Sequence, residues 1–224
     1  MGLPRRAAQQ VAQGQRSLND VLQEMARTEK ADKLVAERGL QRSFAVQVVL
    51  GQASLEDFLE RQARHAYRRE NGHRSCFDAA AASGEPLTLA LLGRALRTLR
   101  ILAVEKYELQ VQDEGAEPER LHKLQVKLCY APVDRKAVRR AWGVDKALKD
   151  AVAEPQWRIQ DRYRCPDKVL HPWLMQGQRV AVTLVEGERL QGVIGWYSRY
   201  EIGLQVRDAQ LTVMRHALVR VEVS

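Results

Sequence analysis

The chain is poor in cysteine, with three in 224 residues. Cys76, Cys129 and Cys165 lie far apart, show no CxxC spacing and, being odd in number, cannot all pair. This excludes a disulfide framework and a cysteine-ligated zinc module, and it fits a reducing, cytoplasmic setting. Long apolar runs are missing too. No stretch approaches the roughly 20 residues that cross a bilayer, and Met1-Gly2-Leu3-Pro4-Arg5-Arg6 is not followed by an apolar signal core, so a soluble, non-exported protein without a membrane partner is expected. The local signatures of catalysis are also lacking: no Walker-type Gly-rich loop, no HExxH, no GxSxG, no Cys/His cluster at metal spacing. The histidines, His65, His73, His122, His171 and His216, are scattered. The expectation is a protein that is not an enzyme and uses no cofactor or metal. Acidic residues fall short of basic ones, 28 against 36, for a formal charge of +8, which favours a polyanionic partner.

What is present is clearest in the last quarter, Arg179 to Val223. Val180, Val182 and Leu184 alternate with polar or small residues up to the hairpin turn Glu186-Gly187. A strand follows through Leu190, Ile194 and Trp196, with Gly192 predicting a bend inside it. Ile202, Leu204 and Val206 form the next run, Asp208-Ala209-Gln210 reads as a turn, and Leu211 to Met214 and Ala217 to Val223 complete five short strands. Arg215-His216 falls in the tight junction between the last two, and the whole predicts a small, strongly bent barrel.

Leu190-Gln191-Gly192, the aromatics Tyr197 and Tyr200, and Met214-Arg215-His216-Ala217-Leu218 resemble the two signature motifs of the Sm-like family, in detail its bacterial Hfq branch of RNA chaperones. The resemblance implies that Tyr200 stacks a base and that Arg215 and His216 contact base and phosphate beside a central pore. Arg199 stands where the family has Gln, and Met214 where it has an aromatic. His171-Pro172-Trp173-Leu174 resembles the start of the family's N-terminal helix, shortened by about a turn and without its rim arginines.

Upstream, Leu18, Val21, Leu22 and Met25 share a helical face from Ser17, with a break expected near Thr28 and an end at Gly39. Phe44 to Leu50 is a short apolar segment, and Ser54 with Asp57 caps a helix carrying Leu55, Phe58 and Leu59. This order admits a helix-turn-helix DNA reader using Arg61, Arg64, Arg68 and Arg69. Glu56, Asp57 and Glu60 on the same helix oppose that reading and favour a packing element.

From residue 85 the strand pattern returns. Leu87, Leu89 and Leu91 match the first C-terminal strand, and Lys106-Tyr107-Glu108-Leu109 parallels Arg199-Tyr200-Glu201-Ile202. Leu121-His122-Lys123-Leu124 is aligned with Arg215-His216-Ala217-Leu218, placing Lys106, Tyr107 and His122 at pore-side positions of a diverged first copy. Between the copies, Asp134 is expected to cap a helix that gathers Arg135, Lys136, Arg139 and Arg140 on one side. Trp157, Arg158, Arg162, Tyr163 and Arg164 then interleave basic and aromatic residues, the composition that grips single-stranded nucleic acid.

The expectation is therefore an α+β chain: a helical N-terminal extension over 1–70, a diverged Sm-like barrel over 71–132, a basic helix and linker over 133–166, and an Hfq-like Sm barrel over 167–224. The expected function is single-stranded RNA binding by a chaperone or riboregulator. The expected assembly is a homo-oligomer, three chains making a pseudo-six-unit ring. Two alternatives stand beside it, an Sm-fold assembly module without RNA binding and the helix-turn-helix DNA regulator.

Overall fold

The computed structural model of the chain describes residues 3–148, 150–151 and 153–224. It divides into two compact units, Met1–Ala63 and Arg64–Ser224.

The first unit is helical: α1 (Arg5–Ala12), α2 (Leu18–Arg38), α3 (Arg42–Val49) and the first half of α4 (Leu55–Asn71). Ser17 caps α2 by accepting from the Asp20 N–H at 3.0 Å, and Gly39, at φ 64°, ends it with its N–H on the Val35 carbonyl. The break expected at Thr28 does not occur. Neither Pro nor Gly interrupts this stretch, and the Thr28 hydroxyl donates to the Glu24 carbonyl at 2.9 Å, inside the helix. Ser54 accepts from the Asp57 N–H at 3.2 Å at the start of α4. Ala31, Leu40 and Ala45 form the buried centre, and Phe44 stacks on Phe58 with centroids 4.2 Å apart.

The second unit continues from α4 into α5 (Cys76–Ser83), β1 (Leu87–Leu91), β2 (Leu96–Val104), β3 (Glu108–Gln112), β4 (Glu119–His122) and β5 (Val126–Tyr130). The connecting segment carries α6 (Arg135–Ala141) and β6 (Gly143–Val144). Then come α7 (Asp167–Met175), β7 (Arg179–Leu184), β8 (Glu188–Tyr197), β9 (Glu201–Val206), β10 (Ala209–Met214) and β11 (Leu218–Val223). The strands form one open antiparallel sheet in the order β11-β7-β8-β9-β10-β5-β1-β2-β3-β4, with β6 beside β8 off that path.

The order is that of two five-strand blocks, each running fifth, first, second, third, fourth. A helix precedes each block, α5 and α7. The second strand of each shifts register at corresponding places, Ile101/Ala103 and Ile194/Trp196. A 3-10 turn leads into each fifth strand, Lys123–Gln125 and Arg215–Ala217. The sheet runs on from one block to the other where β10 pairs with β5, Leu211 opposite Tyr130, Thr212 opposite Cys129 and Val213 opposite Leu128.

The α+β class holds, and several local expectations shift. The pairing of β8 with β9 shifts register at Gly195, between Ile194 and Trp196. Gly192 is required for close approach: a Cβ there would lie 2.5 Å from the Gln205 carbonyl oxygen, so β9 can approach only a glycine. The β9–β10 turn is Arg207-Asp208, with Arg207 at φ 54°, and Ala217 belongs to the 3-10 turn. Leu89, Leu99, Leu109 and Val126 fill the core of the first block, and Val180, Leu190, Ile194 and Leu204 that of the second. Each such fully buried side chain contributes about 1.5–3 kcal/mol. No helix among the described residues is long and apolar enough to cross a membrane.

Candidate nucleic-acid interface

Tyr107 and Tyr200 stand in tight turns just before β3 and β9, and both turns close the same way. Glu105 N–H donates to the Glu108 carbonyl and Ser198 N–H to the Glu201 carbonyl, each at 2.9 Å. The tyrosine carbonyls accept from Lys123 N–H at 2.9 Å and Arg215 N–H at 2.8 Å, so each turn is tied to the 3-10 turn of its own block. The rings are left 60% and 62% exposed. Beside each sits the preceding cation: Lys106 Nζ lies 4.9 Å from the Tyr107 ring centre, and the Arg199 guanidinium 5.2 Å from that of Tyr200. An exposed ring fixed from behind by backbone bonds, with a cation alongside, can stack a base and hold its phosphate. Tyr197, grouped with Tyr200 by sequence, is 2% exposed. It packs on Tyr67 at 4.6 Å and its hydroxyl pairs with His171 Nδ1 at 3.2 Å, so it is core.

Arg215 and His216 do not present free charge. The Arg215 guanidinium donates to Asp167 Oδ1 at 3.0 Å, to the Ser198 carbonyl at 2.8 Å and to the Cys165 carbonyl. It thereby clamps the start of α7 and the Tyr200 turn. His216 is pushed down to about 4, by burial first and by the nearby Arg162 charge second, so the ring is neutral at pH 7.

His122 is displaced from its expected place. It ends β4, opposite Glu108, where the second block has Met214 as the last residue of β10. Lys123, not Leu121, corresponds to Arg215, because these two N–H groups bond to the equivalent tyrosine carbonyls. The expected alignment was thus two residues out of register. His122 Nδ1 accepts from the Leu124 N–H at 3.1 Å, and its ring meets Trp157 edge-on at 4.8 Å.

The basic connecting segment is only partly free. Arg135, Lys136, Arg139 and Arg140 on α6 are exposed. Asp134 does not cap that helix with its side chain; it accepts from the Gln210 N–H at 3.2 Å, tying the segment to β10. Arg158 is exposed, whereas Arg162 turns inward to the Gln156 carbonyl at 2.8 Å and the Trp157 carbonyl at 3.2 Å.

Sequence reasoning missed a buried charge cluster at the junction of the blocks. Lys127, on β5, is 0% exposed, and its ammonium bonds to both Glu186 and Glu188. Glu186 also accepts from the Gly93 N–H at 2.7 Å and the Arg94 N–H at 3.2 Å. Burial alone would raise the Glu186 carboxyl; the Lys127 ammonium and the Gly93 N–H bring it below its ordinary range. The cluster borders a cavity of about 380 Å³ that Trp142, Tyr130 and Arg139 also line. Glu186 and Glu188 flank Gly187 of the hairpin turn, but nothing in the sequence points from them to Lys127.

No group of three His, Cys, Asp or Glu side chains among the described residues could hold a metal ion. The chain matches no family model and no curated protein.

Proposed function

We propose that the chain is a tandem Sm-like protein that binds single-stranded RNA through Tyr107 and Tyr200, acting as a chaperone or riboregulator without chemistry. In this reading each five-strand block is one Sm-like barrel, and residues 1–70 are a helical extension. One observation carries it: two exposed tyrosines, each beside a cation, occupy the same turn of two blocks with the same strand order. Lys106 and Arg199 supply charge at the rings, and Arg135, Lys136, Arg139, Arg140 and Arg158 supply further exposed charge for the backbone.

A second reading, an Sm-fold assembly module without RNA binding, is favoured by the internal engagement of Arg215 and the neutrality of His216. The deciding experiment is a salt titration of binding to U-rich and A-rich single-stranded RNA and to duplex DNA. The RNA reading expects single strands to bind with a negative salt slope. It also expects Tyr200→Ala and Tyr107→Ala each to weaken binding by roughly 1–3 kcal/mol per stacked base. Loss of neither variant's affinity would favour the assembly module. Preference for duplex DNA would favour the helix-turn-helix alternative.

A further inference from the structure

Cys76 and Cys129 are separated by 53 positions, yet their sulfurs lie 3.1 Å apart. Cys76 is the first residue of α5 and is partly exposed; Cys129 is buried in β5, opposite Thr212 of β10. Both are free thiols, and Cys165 is buried elsewhere, its carbonyl held by Arg215. Glu201 Oε2 accepts from the Cys76 N–H at 2.8 Å, fixing the start of α5 so that the Cys76 sulfur faces its partner. Two sulfurs at this distance need close by only about 1 Å to reach the bonded separation.

We infer that Cys76 and Cys129 form an oxidisable dithiol site, whose co-reactant is a small-molecule disulfide. Cys76, the accessible member, attacks one sulfur of the small disulfide, forming a mixed disulfide and releasing one thiol. Cys129 then attacks the Cys76 sulfur, forming the intramolecular bond and releasing the second thiol. Two protein thiols are oxidised, one small disulfide is reduced to two thiols, and the two protein protons leave with them. The product ties the start of α5 to β5, the strand that joins the two blocks. Burial, the neighbouring thiol and the Glu201 carboxylate all hold the Cys76 thiol well above its ordinary range. Oxidation is therefore slow at neutral pH and speeds up as pH rises, because the thiolate is the reacting form.

The test exposes the full chain, folded and separately in denaturant, to excess oxidised glutathione at about pH 8.5, the ordinary thiol range. In the folded chain the three free thiols fall to one, the mass drops by two hydrogens, and a non-reducing peptide map joins the peptides containing Cys76 and Cys129. Cys165→Ser leaves that bond intact. Cys129→Ser instead traps a stable mixed disulfide on Cys76, and Cys76→Ser leaves Cys129 unmodified. The inference is overturned if the folded chain keeps three free thiols while the denatured chain oxidises, if the parent stops at a mixed disulfide, or if the bond formed includes Cys165.

Discussion

A side chain's formal charge and the charge it offers a ligand diverge sharply at Arg215 and His216. Arg215 leaves only 18% of its side chain exposed and bonds to one carboxylate and two carbonyls. Arg215→Ala is therefore expected to cost roughly 1–3 kcal/mol of stability, the penalty for stranding buried partners. If the chain binds RNA as proposed, Arg215→Ala should leave the salt slope of that binding nearly unchanged, whereas Arg199→Ala should flatten it. Urea denaturation and a salt titration of the same two variants separate these effects. For His216 the folded value of about 4 lies below the ordinary value near 6.5, so the unfolded chain takes up the proton first. The stability His216 contributes is complete above about pH 6.5 and is lost as pH falls toward 4. Between pH 7 and 5 the loss should be on the order of 1–2 kcal/mol, and urea midpoints of His216→Gln should drop less over that range than those of the parent.

Among elements, β5 sets the strongest energetic condition. It lies between β10 and β1, and all five of its residues are buried, Lys127 included. Removing one member of a buried ion cluster strands the others, so Lys127→Met is expected to destabilise by about 3–5 kcal/mol. Adding Glu186→Gln and Glu188→Gln to it should recover part of the loss in thermal or urea unfolding. Because Glu186 titrates below its ordinary range, its contribution is complete above that range and disappears as pH falls below it. What the sequence revealed and what it hid divide along this strand. The alternation Val180-Val182-Leu184 and Ile202-Leu204-Val206, the helix start at Ser17 and the stop at Gly39 were legible because each is a local pattern with a local cause. So was the parallel between Lys106-Tyr107-Glu108-Leu109 and Arg199-Tyr200-Glu201-Ile202, although that both tyrosines stand in turns was not. Lys127 was not, since a lysine in a short strand reads as solvent-facing until both neighbouring strands are known. The 3.1 Å approach of Cys76 to Cys129 was hidden for the same reason. The two-residue slip at His122 came from aligning histidines, when the 3-10 turn, which has no fixed sequence signature, sets the register.

At the scale of the whole molecule, the sheet ends in two free edges, β4 and β11. Inside the chain, the fourth strand of the second block pairs with the fifth of the first, so the same pairing between chains would join β4 of one to β11 of the next. Both edges carry features that bear on this. β4 has four residues, with Arg97 bonded to Glu119 and Arg120 to Glu108. On β11, Val219 and Val223 are exposed, while the Val221 N–H is taken by the Tyr163 hydroxyl at 3.4 Å and Arg220 is held by Asp145 at 2.9 Å. Tyr163 must turn away for a new strand to add at that point. If each block is one unit of a six-unit Sm-like ring, as proposed, three chains close it, and light scattering at micromolar concentration should give the mass of three chains. Tyr163→Phe, which releases the Val221 N–H, should shift association to lower protein concentration. Val219→Lys, which puts a charge on the edge, should yield single chains with an unchanged unfolding midpoint. A mass of six chains would mean that one block alone closes the ring, and a parent that stays single at every concentration would refute pairing through these edges.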